Sequence, residues 1–245
     1  MFVRRTRVHA LFGVLLLGCT LACSLAQAGS FTVNPVRVTL SGRQPVAALT
    51  VRNLGDTPAV IQLEVKRWSQ LDGRDLYEDT AEILATPPIF TVPANQTQLV
   101  RVGLRRAPDP DQELTYRLYL QEVEPPPTPG FTGLKMAVRM GVPLFVQPAV
   151  PALPSLHWQA TRLGPEEISL SATNTGKAHI QLNGFQVRPA TESSPAVTRQ
   201  VSAYLLPGQR QSWVVQAHQA PGVALHLLAK TDAGDVETEL AVGAQ

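Results

Sequence analysis

The chain has 245 residues, with 21 Lys+Arg against 19 Asp+Glu and two cysteines. Its mean hydropathy is +0.01, and beyond the first 28 residues no stretch is long and apolar enough to cross a membrane as a helix. No block of like charge runs along it, so nucleic-acid binding is not expected.

The first residues read as an export signal. Arg4, Arg5 and Arg7 form a basic start, residues 10–26 are apolar, and Ala26-Gln27-Ala28 is a small-x-small cleavage site. The apolar run is short for a membrane span, so cleavage after Ala28 is expected. Leu16-Leu17-Gly18-Cys19 loosely resembles a lipobox, which leaves lipoprotein processing before Cys19 as an alternative. Cleavage after Ala28 leaves 217 residues (245 less 28) and removes both Cys19 and Cys23. The exported chain then has no disulfide, no thiolate nucleophile and no cysteine metal ligand. Its charge falls to −1, with 18 basic and 19 acidic side chains, since the signal carries three arginines.

Beyond the signal no long stretch has helical periodicity, and short β-rich runs dominate. Phe31 to Leu40 alternates and is read as one strand. Val46 to Arg52 follows, then a turn at Asn53-Leu54-Gly55-Asp56. Val60 to Trp68 is closed by Asp72-Gly73. Ile83 to Phe90 contains Thr86-Pro87-Pro88, a place for a cis bond. Thr97 to Leu104 and Leu114 to Val123 continue the series. The proline-rich run Glu124 to Gly130 leads into Leu134, Met136, Val138, Met140 and Val142, which share one strand face. Those five either fill the chain's own core or present apolar pegs to a partner. Seven strands over some 120 residues predict an immunoglobulin-like sandwich.

Residues 148–154 form a proline-rich connector between an N-terminal domain, 29–147, and a C-terminal one, 155–245. Strands are expected at Leu156–Leu163, Ile168–Thr173, His179–Val187, Ser212–Ala217, Leu225–Lys230 and Val236–Val242, with no sequence repeat between the halves. The four remaining histidines, His157, His179, His218 and His226, have no zinc spacing, and His179 and His226 read as ordinary sheet residues. No nucleophile elbow or phosphate-binding loop is present. No catalytic group, cofactor or metal site is therefore expected. Trp68, Trp158 and Trp213 read as core.

Certain segments, in this order, resemble the periplasmic chaperones of the chaperone–usher pathway, which assemble pili. They are Asn34-Pro35-Val36-Arg37-Val38, Ala85-Thr86-Pro87-Pro88, Leu99-Val100-Arg101-Val102, Tyr116 to Val123, and Leu134 to Pro148. The resemblance implies an all-β fold of two immunoglobulin-like sandwiches set at an angle, with a cleft between them. It implies a non-enzymatic periplasmic chaperone that binds pilin subunits and hands them to an outer-membrane usher. In that family one strand of the chaperone completes the subunit's open sandwich, the donor-strand mode of β-augmentation. Leu134, Met136, Val138, Met140 and Val142 are the matching pegs, and two methionines suit an imperfect groove. The same edge left empty invites self-association.

The family's cleft binds the subunit's terminal carboxylate through two basic residues. Arg37 matches the first. Pro143 stands at the second, so either Arg37 works alone or Arg101, Arg117 or Arg139 assists. Arg101 and Glu122 match a pair that forms a structural ion bridge. The competing expectation is a secreted two-domain adhesin or carbohydrate-binding module on the same fold.

Overall fold

The structure, a computed structural model, describes residues 31–124, 136–190, 196–217 and 222–243. The signal and its cleavage site, Leu134 and His218 lie outside the described residues. All regular structure among them is β, arranged as two sandwiches of two sheets each.

Among the described residues the first sandwich holds ten strands. They are β1 (Phe31–Asn34), β2 (Val38–Leu40), β3 (Val46–Asn53), β4 (Ala59–Leu71), β5 (Arg74–Asp79), β6 (Ile83–Thr86), β7 (Ile89–Val92), β8 (Thr97–Leu104), β9 (Leu114–Glu122) and β10 (Arg139–Val146). One sheet runs β1-β3-β8-β6 and the other β2-β10-β9-β4-β5, with β7 also on β4. Alternate residues of the facing strands bury one core: Leu49, Val51, Val100 and Val102 from one sheet meet Ile61, Leu118, Leu120 and Leu144 from the other.

Phe31 to Leu40 is two strands instead of the single one expected. The Asn34–Pro35 bond is cis, and the chain bends there. β1 pairs antiparallel with β3 in one sheet, while β2 pairs parallel with β10 in the other. The Thr86–Pro87 bond is also cis. The run ending at Trp68 extends to Leu71 and turns through Asp72 and Gly73, both at positive φ, into β5. Every residue of β5 is exposed, so it carries no burial pattern to read.

The second sandwich holds β11 (Leu156–Arg162), β12 (Glu167–Asn174), β13 (Ile180–Pro189), β14 (Val197–Leu205), β15 (Arg210–Gln216), β16 (Leu225–Thr231), β17 (Gly234–Leu240) and β18 (Val242–Gly243). Its sheets run β15-β12-β11-β18 and β14-β13-β16-β17. Trp158, Phe185 and Trp213 pack in its core.

The two halves do share a device, against expectation. Asn53 ends β3 and Asn174 ends β12, and both are buried. Asn53 Nδ2 donates to the carbonyls of Thr57 and Val92, and its Oδ1 accepts from Gly55 N–H. Asn174 Nδ2 donates to the carbonyls of Ala178 and Leu205, and its Oδ1 accepts from Gly176 and Ser155 N–H. The common signal is Asn-x-Gly followed by Ile-Gln-Leu, at Ile61-Gln62-Leu63 and Ile180-Gln181-Leu182.

Candidate functional site

The site is built on β10 and the cleft beneath it. β10 runs antiparallel to β9, with Met140 opposite Leu120, Val142 opposite Leu118 and Pro143 opposite Arg117. Glu122 N–H donates to the Val138 carbonyl at 2.9 Å. Antiparallel pairing alternates, so even-numbered residues of this strand turn their N–H and C=O to β9. Odd-numbered residues turn theirs to the opposite edge. Gln147 N–H, which donates to the Leu40 carbonyl of β2, obeys that rule. β2 covers the edge only from Leu144 to Val146. Among the described residues no strand pairs with the edge at Arg139, Gly141 and Pro143. Pro143 has no N–H, and at an odd position that loss costs the β9 ladder nothing.

The pegs are graded along the strand. Val142 is 4% exposed and belongs to the chain's own core. Met140 and Val138 are partly buried against that core. Met136 is 59% exposed. The structure therefore seats Val142 inside its own sandwich and leaves Met136 uncovered.

Arg37 precedes β2 and reaches across to the second sandwich. Its Nη1 donates to Asp232 Oδ2 at 2.7 Å, and its Nη2 to Gln181 Oε1 at 2.6 Å and Tyr204 Oη at 3.1 Å. Burial acts to lower its pKa, but the hydrogen bonds to Asp232 and Tyr204 outweigh this and raise it, so the charge is firmly held. Phe145, two residues beyond Pro143, carries the rest of the contact. The His179 ring stacks on it at 3.4 Å and 5°. Trp68 lies 6.0 Å from Phe145 and 5.3 Å from Tyr204. His179 is thus no ordinary sheet residue. Its backbone N–H donates to Glu113 Oε2 at 2.8 Å, and its Nδ1 lies 2.6 Å from the same oxygen. Trp68 is likewise part of this contact between sandwiches, packed with Phe145 and Leu206. Local patterning carries no sign of either role, because the partners lie far along the chain.

The expected Arg101–Glu122 bridge is not formed. Arg101 is exposed on β8, between the core residues Val100 and Val102, and Glu122 ends β9 in the opposite sheet. The two sheets of a sandwich stand about 10 Å apart, and Arg101 points away from the other one. Glu122 Oε2 is buried and has no hydrogen-bond partner. Among the described residues no cluster of His, Cys, Asp and Glu is arranged to hold a metal.

Residues 30–151 match the family described as pili and flagellar-assembly chaperone, PapD N-terminal domain. The chain belongs to this family of pilus assembly chaperones. No curated protein sequence matches it. Solved structures share the fold over both sandwiches. A chain of the CsuC–CsuE chaperone–tip adhesion subunit complex of Acinetobacter baumannii has a TM-score of 0.63 at 18% identity, covering 88% of this chain and 99% of its own. The Escherichia coli chaperone DraB has a TM-score of 0.58 at 21% identity, covering 86% and 99%. A chain of the Salmonella enterica SafA pilin–SafB chaperone complex has a TM-score of 0.59 at 20% identity, covering 88% and 96%. The all-β, two-domain immunoglobulin-like fold is thereby established for this pilus chaperone.

Proposed function

We propose that this protein is a periplasmic chaperone that captures a pilin subunit by lending it the strand from Leu134 to Val142, and delivers it to an outer-membrane usher. The carrying observation is the edge of β10. Arg139 and Gly141 turn backbone groups to an edge that no described strand fills, and the alternating face beside them grades from buried Val142 to exposed Met136. A subunit lacking a strand gains both a hydrogen-bonded ladder and apolar filling from such an edge. Each fully buried peg contributes about 1.5–3 kcal/mol before ordering and association costs. The family supports the chaperone role, and the CsuC–CsuE and SafA–SafB structures are complexes of those chaperones with a tip adhesion subunit and a pilin. Arg37, at the root of the open edge, is a carboxylate contact that already has Asp232 as a partner. With the chain divided at 148–154, the Arg37–Asp232 and His179–Glu113 contacts tie the two units together.

The test is purification from the periplasm with co-expressed pilin-like subunits. A stoichiometric subunit is expected in the wild-type preparation and is expected to disappear when Met136 is replaced by Asp. A folded protein that retains no subunit, or a Met136→Asp variant that keeps it, refutes the capture role.

A further inference from the structure

From residue 29 onward the chain has no cysteine and two methionines, Met136 and Met140. Positions four apart on an extended chain share a face, so all the sulfur of that stretch lies on the face that lends its pegs in the proposed capture. The two methionines differ in cover. Met136 is 59% exposed, whereas Met140 stands opposite the buried Leu120 and packs against the sandwich core. The tryptophans, the other side chains most open to oxidation, are all buried at Trp68, Trp158 and Trp213. An oxidant that reaches this molecule therefore meets the Met136 thioether first.

The thioether sulfur takes an oxygen atom from hydrogen peroxide. One S–O bond forms, the O–O bond breaks, sulfur gives up two electrons and the rest of the peroxide leaves as water. The product is a sulfoxide, polar and chiral where the thioether was apolar and pliable. In the free chain that change costs little, because Met136 lies largely in solvent and precedes β10. In a subunit groove it puts a strong hydrogen-bond acceptor where an apolar peg sat. The penalty falls on capture and spares the fold. Met140 is different, since its sulfoxide enters the chain's own core. A dithiol reductase reverses the step: two thiols become a disulfide and the sulfoxide oxygen leaves as water.

We propose that Met136 is a reversible oxidation site, at which peroxides stop the empty chaperone from capturing a subunit. This rests on the reading of Leu134 to Val142 as the capture strand. A captured subunit covers the same thioether, so loaded and empty chaperone respond differently. The loaded complex keeps its methionine reduced, and the empty chain is withdrawn until a reductase restores it.

The chain purified from the periplasm is treated with graded hydrogen peroxide, and the oxidised residues are mapped by peptide mass spectrometry. Met136 is expected to take up oxygen first, with Met140 lagging until urea opens the fold. Capture is read with the pilin-like subunit that co-purifies with the untreated chain, unfolded in urea and diluted into treated or untreated chaperone. Sulfoxide at Met136 should weaken capture about tenfold or more and leave thermal melting unchanged. Methionine sulfoxide reductases for both epimers, with dithiothreitol, should restore it. Met136→Gln, polar and of similar length, should lose capture without oxidant. Met136→Leu, compared only with itself before and after peroxide, should lose none at doses that spare Met140. In the complex, Met136 should stay reduced at the dose that oxidises the empty chain. Oxidation of Met140 or the tryptophans ahead of Met136 overturns the inference, as does full capture by the chain carrying the Met136 sulfoxide, or equal oxidation of loaded and empty chain. Those outcomes leave the capture strand to the Met136→Asp test. An untreated chain that holds no subunit overturns the capture-strand reading itself, and this inference with it.

Discussion

Met136→Asp separates capture from folding because of where the side chain sits. Met136 is 59% exposed and precedes β10, so the sandwich does not depend on it. A surface change of this kind moves folding stability by about 0.5 kcal/mol or less. In a subunit groove the same position loses the methionine's burial, about 1.5–3 kcal/mol, and adds the cost of desolvating a carboxylate. The expected loss of affinity is about 3 kcal/mol or more, a hundredfold or more. Val138→Asp is a poorer test. Val138 packs against the chain's own core, so the substitution also weakens the fold. Ala137 supplies the control, since it is exposed and points to the opposite face of the strand. Ala137→Asp should therefore retain the subunit, while Met136→Asp loses it. Thermal melting checks the fold, and quantified co-purification reads capture. If Met136→Asp and Ala137→Asp hold the subunit equally, the period-two contact is refuted.

The tie between sandwiches, the buried asparagines and the titrating groups give further expectations. Glu113 and His179 side chains are only 6% and 13% exposed, so Glu113→Ala strands the His179 N–H and should cost about 2–4 kcal/mol in denaturant unfolding. Glu113→Gln keeps an acceptor and should cost less; equal midpoints for wild type and Glu113→Ala would refute the tie. Asn174 makes four hydrogen bonds through its side chain and Asn53 three, so at about 1 kcal/mol each Asn174→Ala should destabilise by about 4 kcal/mol and Asn53→Ala by about 3. Separate unfolding titrations of the two variants test that order. The Tyr116 hydroxyl, then Arg106, holds the Glu82 carboxyl below its ordinary value of 4.5. A depressed folded pKa gives stability above pH 4.5 that is lost as the pH falls through the folded value. Burial, and then Glu82, raises Tyr116 above its ordinary 10.0, so that contribution is present below pH 10 and is lost as pH rises further. Tyr116→Phe should flatten both arms of a stability–pH profile, and an unaltered profile would count against the pair.

What was legible in the chain is what repeats locally. Alternation marks Val46–Arg52, Thr97–Leu104 and Leu114–Val123, and the structure has strands at each because burying one face fixes the register. The same alternation picks out Leu134 to Val142 but does not say which edge stays open. That follows from β2 ending its cover at Leu144, and so from the bend that splits Phe31–Leu40 between two sheets. β5 was invisible because all six of its residues face solvent. The shared Asn-x-Gly tripeptides were in plain view, yet their meaning depends on carbonyls as far away as Val92 and Leu205.

The cleft was least legible, for an electrostatic reason. On strand patterning alone Arg37, Arg101, Arg117 and Arg139 are equivalent cations, and only the resemblance singles out Arg37 and Arg101. What separates them is which carboxylate each meets after folding. Asp232, 195 residues along the chain, neutralises Arg37, and Glu64 lies by Arg139. Arg101 faces solvent on the other sheet, and Arg117 is left on an indole face with a buried donor unmatched. A motif that carries a role onto Arg37 by position therefore meets a residue already engaged. Coulombic attraction for an incoming carboxylate depends on net charge at the point of contact. Pro143, opposite Arg117, adds neither a charge nor an N–H at that point of the strand.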